Sequence, residues 1–556
     1  MFTLIQQLCR SLQTPAVTKR YQDAGLGLIL IILTQLLVIP IQIALDLHSI
    51  NLPASILVML LVSLLMLIAN RIHGNTARLY TKHLRGPTDF LGRHMSFGFV
   101  ASFIMLNRDH ITNAIDIPRV AGAFLVTTII GYLSSFAVAS GSFKLEQRVR
   151  GSRSKLDDPE ANNKSWPSPS TTWLAPPADR CPMRLAQLSR ISDALAKNGS
   201  LSSIESAKSV SSSQLADILV RTAPLSICVF LVAVVGIPIY SATSYEMPFE
   251  ALCFILFWIL SVQFQRSLKN SVCLLRVPRL RSIFVIFANP VLVTWALGTA
   301  YLWIKTAYTN QTIDITISEF RRHETLAECI IAIIKGASTR ESIGAGDLAS
   351  LVLDAGIVCM GFKMFEYRKE LWESIVTVFT TSAILAVENV FLNVLLARAF
   401  GLQTSDAVSF AARSVTIALG VPAIENLDGS TTLMSAMVIF GGIIFQMAGD
   451  GLFSLLRIKD RKGLLKSDSS KDSDTEKSDV GHGGEPQQGT GTDNGVISAG
   501  VTVGINAAAM GTAHLMERDS KATAYSALSM TVFGAMTVAL TALPGVSKAI
   551  IALASR

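Results

Sequence analysis

"SFAARSVTIALGVPAIENLDGSTT", residues 409 to 432, is mostly small and apolar, is broken by glycine and proline, and carries Arg413 near its start. Ser414 follows at once, and Thr416 two residues later. An ordinary leucine-rich span is not written this way. Glycine and proline let a membrane helix break, and irregular backbone at membrane depth is tolerated only where protein covers it or where it lines a water-filled cavity. A lone arginine facing lipid costs about 2.5–3.5 kcal/mol at a helix centre even on the mildest scale. Facing a wet cavity it costs less, and its planar fork suits a carboxylate held by paired hydrogen bonds. The segment from Thr404 to Ile424 is therefore expected to be a broken or re-entrant helix. Contact of Arg413 with an anion and structural pairing with Asp406 or Glu388 both stay open.

A second segment has the same character: "GVISAGVTVGINAAAMGTAHLMERD", residues 495–519. Small residues let membrane helices approach closely. If both segments break, their helix N-termini can meet near the midplane, where free N–H groups and the positive dipole end attract an anion. Secondary transporters commonly build substrate sites from discontinuous helices in this way.

Around these segments lies a chain made for lipid. Of its 556 residues half are hydrophobic and only 16% are charged, where a soluble chain averages about a quarter charged. Mean hydropathy is +0.46. Apolar runs long enough to span a bilayer recur near 25–45, 53–70, 92–107, 118–140, 222–240, 248–266, 282–304, 347–363, 373–399, 432–456, 496–515 and 523–543, which predicts an all-α polytopic membrane protein with about twelve membrane segments. Composition divides it into a membrane part at 1–143, a polar linker at 144–221, a span pair with connector at 222–288, a membrane part at 289–465, an acidic, glycine-rich insert at 466–495 expected to be a disordered spacer, and a last membrane part at 496–556.

The net charge of +8 concentrates in short segments between apolar runs, which is an orientation signal and not the footprint of a nucleic-acid binder. Placing the N-terminus on the cytosolic or matrix side makes the basic segments alternate consistently. The plasma membrane and an organellar (mitochondrial) membrane both remain open. The seven cysteines are scattered, without CxxC or Cys/His clusters, so neither a metal site nor a disulfide framework is expected, and no cofactor motif is present. "GAGD", 344–347, matches the GxGD string of intramembrane aspartyl proteases, but no partner Tyr-Asp motif or PAL string accompanies it, so no enzyme activity is expected. The bilayer, a small solute and a second copy of the chain are the expected partners.

Acidic residues inside spans are functional candidates by default. Glu388, in "TSAILAVENVFLNVLL", is the deepest and the best proton carrier. Asp354, in "LASLVLDAGIVCMGF", is the second. For both, a structural polar contact is the competing role.

The blocks "LVLDAGIVCMGFKMFEYRKEL" (351–371), "ARSVTIALGVPAIENLDGSTTLMSAMVIFGGIIFQMAGDGLFSLLRIKD" (412–460) and "GVTVGINAAAMGTAHLMERDSKATAYSALSMTVFGAMTVAL" (500–540) give the C-terminal part a resemblance to the LrgB/CidB family. "INLPASILVMLLVSLLMLI" (50–68) and "FLGRHMSFGFVASFIML" (90–106) similarly resemble LrgA/CidA. An LrgA-like unit ahead of an LrgB-like unit is similar in layout to plant plastidic glycolate/glycerate translocators. The resemblance implies a carrier for small carboxylates such as glycolate, glycerate or pyruvate, with a holin-like pore as the alternative. By matching position it implies substrate contacts at Arg413, Ser414, Thr416, Asn506, Gly511 and Thr512. The family's lysine is Arg413 here, its histidine falls at Ala508, its Gly-Pro is Asp354-Ala355, and a proline of the LrgA type is Ala101.

Overall fold

The structure, a computed structural model, describes residues 15–48, 53–105, 116–154, 222–270, 284–285, 287–322, 329–330, 333, 343–455, 491–518 and 520–555. The linker expected at 144–221 lies outside these residues from 155 onward, and so does the insert expected at 466–495 up to residue 490. All regular elements among the described residues are helices.

In chain order these are α1 (Pro15–Leu47), α2 (Ala54–Ile72), α3 (Arg85–His94), α4 (Phe99–Met105), α5 (Ile117–Ser154), α6 (Thr222–Thr243), α7 (Met247–Asn270), α8 (Pro290–Thr309), α9 (Ile313–Phe320), α10 (Ala345–Glu366), α11 (Ile375–Ala399), α12 (Thr404–Ser409), α13 (Ile417–Glu425), α14 (Thr431–Leu455), α15 (Gly491–Glu517), α16 (Thr523–Ala542) and α17 (Pro544–Ser555). The chain forms two units. One comprises Met1–Gln22 with Arg148–Ile227, and the other Asp23–Gln147 with Cys228–Arg556.

Among the described residues, ten helices are long and apolar enough to cross a membrane. The two expected spans outside this set have physical reasons. Residues 85–105 break into α3, a 3₁₀ turn at Met95–Gly98 and α4, because Arg93, His94 and Ser96 interrupt the apolar run. Helix α8 is 20 residues long but carries Trp, Tyr, Thr and Lys305 in place of aliphatic residues.

The helices sort by what covers them. The apolar window of α15 is 100% buried by the protein, whereas that of α6 is 11% buried. Leucine and isoleucine can face lipid at no cost, but the Gly/Ala/Ser/Thr surface of α15 gains most from close helix contact. Gly504 is where this is strictest. A Cβ there would lie 2.3 Å from the Ser526 carbonyl oxygen and 2.2 Å from Ser529 Oγ of α16. Helix α15 packs against α16, α14 and α3, while α10 packs against α2, α3, α4, α7 and α16.

Both small-residue segments break, as their composition predicts. The first passes from α12 through a 3₁₀ turn at Phe410–Ala412, loses helical form over Arg413–Thr416, and resumes as α13. Thr416 starts α13 in an extended conformation (φ −51°, ψ 132°), and its carbonyl accepts from Leu419 and Gly420. The second breaks at Ala508, whose φ of 48° and ψ of −140° interrupt α15. This backbone region is essentially reserved for glycine, so α15 holds Ala508 there under strain.

The "GAGD" string has a structural role. Asp347 Oδ2 accepts from the Gly344 N–H at 2.8 Å, satisfying a free amide at the start of α10.

Candidate functional site

The first break places Arg413 against α5. The Nη2 group donates to the Thr127 carbonyl at 2.6 Å, and Nη1 reaches Thr128 Oγ1 at 3.4 Å. The side chain is 3% exposed, and its Nε is buried without a hydrogen-bond partner. Arg413 forms no ion pair with Asp406 or Glu388, although Glu388 lies near enough for the two charges to interact. The guanidinium is thus held by neutral α5 oxygens, with one donor still unsatisfied.

Beside it is a small cleft lined by Gly131 and Ser134 of α5, Leu385, Glu388, Asn389 and Asn393 of α11, Ser414, Ile505 and Asn506 of α15, and Phe533 of α16. Its free volume of about 10 Å³ matches a single water molecule.

Each wall is locked. Asn506 Nδ2 donates to Ser135 Oγ (2.7 Å), the Gly131 carbonyl (3.2 Å) and the Thr502 carbonyl (3.0 Å). Asn393 donates to Asn389, which in turn donates to the Ala411 carbonyl at 3.0 Å. That chain fixes the 3₁₀ turn from which Arg413 projects. Glu146, at the far end of α5, accepts from the Thr377 N–H (2.9 Å) and hydroxyl (2.5 Å). A carboxylate on free first-turn amides stabilises a helix start, and here it also ties α5 to α11.

Of the residues expected from sequence, Ser414, Asn506 and Glu388 line the cleft, with Arg413 beside Gly131 and Asn506 at its edge. Thr416 is 8% exposed, and its Oγ1 is buried without a partner at the start of α13. Gly511 and Thr512 lie elsewhere. The former faces Phe445 of α14, and the latter hydroxyl pairs with Ser526 of α16 at 2.7 Å and donates to the Ala508 carbonyl. Asp354 also lies apart, on α10, near Ser55 of α2. It is not among the residues lining the cleft.

Sequence reasoning missed the α5 residues and the asparagines. The signal for the latter was present: Glu388, Asn389 and Asn393 share one region of an otherwise apolar helix at i, i+1 and i+5. The α5 signal was weak, because Thr and Ser in helices commonly satisfy themselves on the preceding turn, as Thr127 does with the Ala123 carbonyl at 2.8 Å.

Residues 277–464 and 493–545 match the LrgB-like family. The holin-like protein CidB of Staphylococcus epidermidis is 24% identical over 205 residues, which is 37% of this chain and 74% of that protein. CidB of Staphylococcus aureus is 25% identical over 142 residues, covering 25% of this chain and 62% of the relative. The chloroplastic plastidal glycolate/glycerate translocator 1 of Arabidopsis thaliana is 28% identical over 130 residues, or 23% of this chain and 25% of its own length. No solved structure matches the chain. Arg413, Ser414, Glu388 and Asn506 all fall inside the LrgB-like region; α5 does not.

Proposed function

We propose that this LrgB-like membrane protein is a secondary transporter of small organic anions, with glycolate-, glycerate- or pyruvate-like monocarboxylates as substrates. The observation that carries this reading is Arg413, a buried guanidinium hydrogen-bonded to neutral oxygens and in no ion pair among the described residues, set at a helix break beside a small cleft. A buried cation whose hydrogen bonds all go to neutral oxygens is only partly compensated by a carboxylate at a distance, and an incoming carboxylate supplies a direct countercharge through charge-assisted hydrogen bonds. The plant translocator relative supports the substrate class.

Glu388 faces the same cleft without a hydrogen bond or ion pair among the described residues. An anion bound at Arg413 would sit near a second negative charge. Protonating Glu388 relieves that repulsion, which couples uptake of the anion to a proton. Ser414 and Asn506 orient the substrate from the two broken segments. Thr416, Gly511, Thr512 and Asp354 act at a distance through the α13 start, the α15 break and the α2–α10 contact.

The holin-like naming of the CidB relatives favours a second reading, a membrane pore. The buried window of α15 argues for a packed carrier interior. Uptake of labelled glycolate, glycerate and pyruvate into proteoliposomes, run beside the release of trapped uncharged dye, separates the two. Saturable uptake that accelerates with an inward proton gradient and leaves the dye inside supports the carrier. Dye loss of matching rate sinks it in favour of the pore.

A further inference from the structure

Helix α5 lies outside the LrgB-like region, yet it holds both key side chains of the candidate site. The Thr127 carbonyl and Thr128 hydroxyl take the Arg413 head, while the Gly131 carbonyl and Ser135 hydroxyl take the Asn506 amide. Gly131 sits between them. A Cβ there would come within 2.3 Å of Arg413 Nη2 and 2.5 Å of Asn506 Oδ1. Real Cβ atoms do not approach so closely, and both neighbours are buried and hydrogen-bonded, so neither can swing aside freely. Gly131 also lines the cleft itself.

We infer that α5 is a working wall of the anion site, and that Gly131 is its specificity-determining residue, fixing where the Arg413 head sits and how large a carboxylate the site accepts. This rests on the carboxylate-carrier reading above. The N-terminal membrane part then completes the site instead of merely accompanying it. Substrate entry requires α5 to give up the Arg413 head, because the Thr127 carbonyl occupies the edge of the fork that a carboxylate would take. Ser135 is a positioning residue that acts through Asn506.

The test uses the full chain in proteoliposomes. Gly131→Ala adds one methyl to the wall and displaces the guanidinium. Gly141→Ala, on the same helix with nothing within 4 Å of the added Cβ, is the matched control. One methyl in a fitted pocket changes discrimination by roughly 10- to 200-fold. The expected result is a glycerate-to-glycolate uptake ratio lowered at least about tenfold in Gly131→Ala and unchanged in Gly141→Ala. Loss of folded protein would scale both substrates alike and leave the ratio intact. Ser135→Ala adds no bulk and should raise the half-saturation concentration for both carboxylates several-fold while sparing the maximal rate; it decides the matter if Gly131→Ala does not fold. Wild-type uptake combined with wild-type ratio in Gly131→Ala, or with wild-type half-saturation in Ser135→Ala, overturns the role of α5 alone. A wild-type protein that moves no carboxylate overturns the carrier reading and this inference together.

Discussion

Arg413 is the residue on which the account turns. Its position was readable, since a guanidinium among small residues needs a protein-lined environment. Its partners were not, because they are a backbone carbonyl and a hydroxyl, 286 and 285 residues away in the chain. Backbone acceptors leave no trace in sequence. Glu388 carries the next prediction at this scale. Glu388→Gln keeps size and hydrogen bonding while removing the titratable group, so carboxylate uptake should persist as exchange but lose its acceleration by an inward proton gradient. Gradient-driven accumulation of wild-type size in the variant would remove Glu388 from the coupling step.

At the scale of the element, the breaks matter more than the spans. Small residues with interspersed glycine, joined by proline in the first segment alone, announced both interruptions, and both occur. The location of the second was hidden. Ala508 adopts a backbone conformation that nothing in "INAAAMGT" advertises, held by burial and by the Thr512 hydroxyl on its carbonyl. Since that conformation suits glycine, Ala508→Gly should stabilise the protein by about 1 kcal/mol and raise its unfolding temperature in detergent. A lower temperature would show that the strain account of α15 is mistaken. The run at 92–107 is short and polar-edged, which fits a tilted or half-inserted span; the break itself was not legible, because scattered polar residues within an apolar run serve either outcome.

At the scale of the whole molecule, charged contacts join the N-terminal helices to the LrgB-like region. Lys363 of α10, 4% exposed, pairs with Asp89 of α3 at 2.5 Å and with Glu366 at 3.0 Å, and Glu366 also meets Arg85 at 3.2 Å. Glu146 on α5 does similar work at the start of α11. Pairings of this kind cannot be read from one sequence, because any of several charges could serve as partner. Lys363→Met would leave Asp89 with the more distant Arg85 at 3.8 Å in place of its close cation, and breaking a buried pair costs about 3 kcal/mol. A clear drop in unfolding temperature should follow, with selectivity among carboxylates unchanged in the protein that remains folded. A wild-type unfolding temperature would mean that the pair does not join the two parts.

The central claim, that Arg413 receives the substrate's carboxylate, is tested most directly by concentration-dependent uptake of labelled glycolate into proteoliposomes carrying wild type, Arg413→Lys or Arg413→Ala at matched folded amounts. The account predicts saturable wild-type uptake, a half-saturation concentration raised about tenfold or more in Arg413→Lys, where charge remains but the fork is lost, and no saturable component in Arg413→Ala. Saturable uptake of wild-type affinity in Arg413→Ala would contradict it.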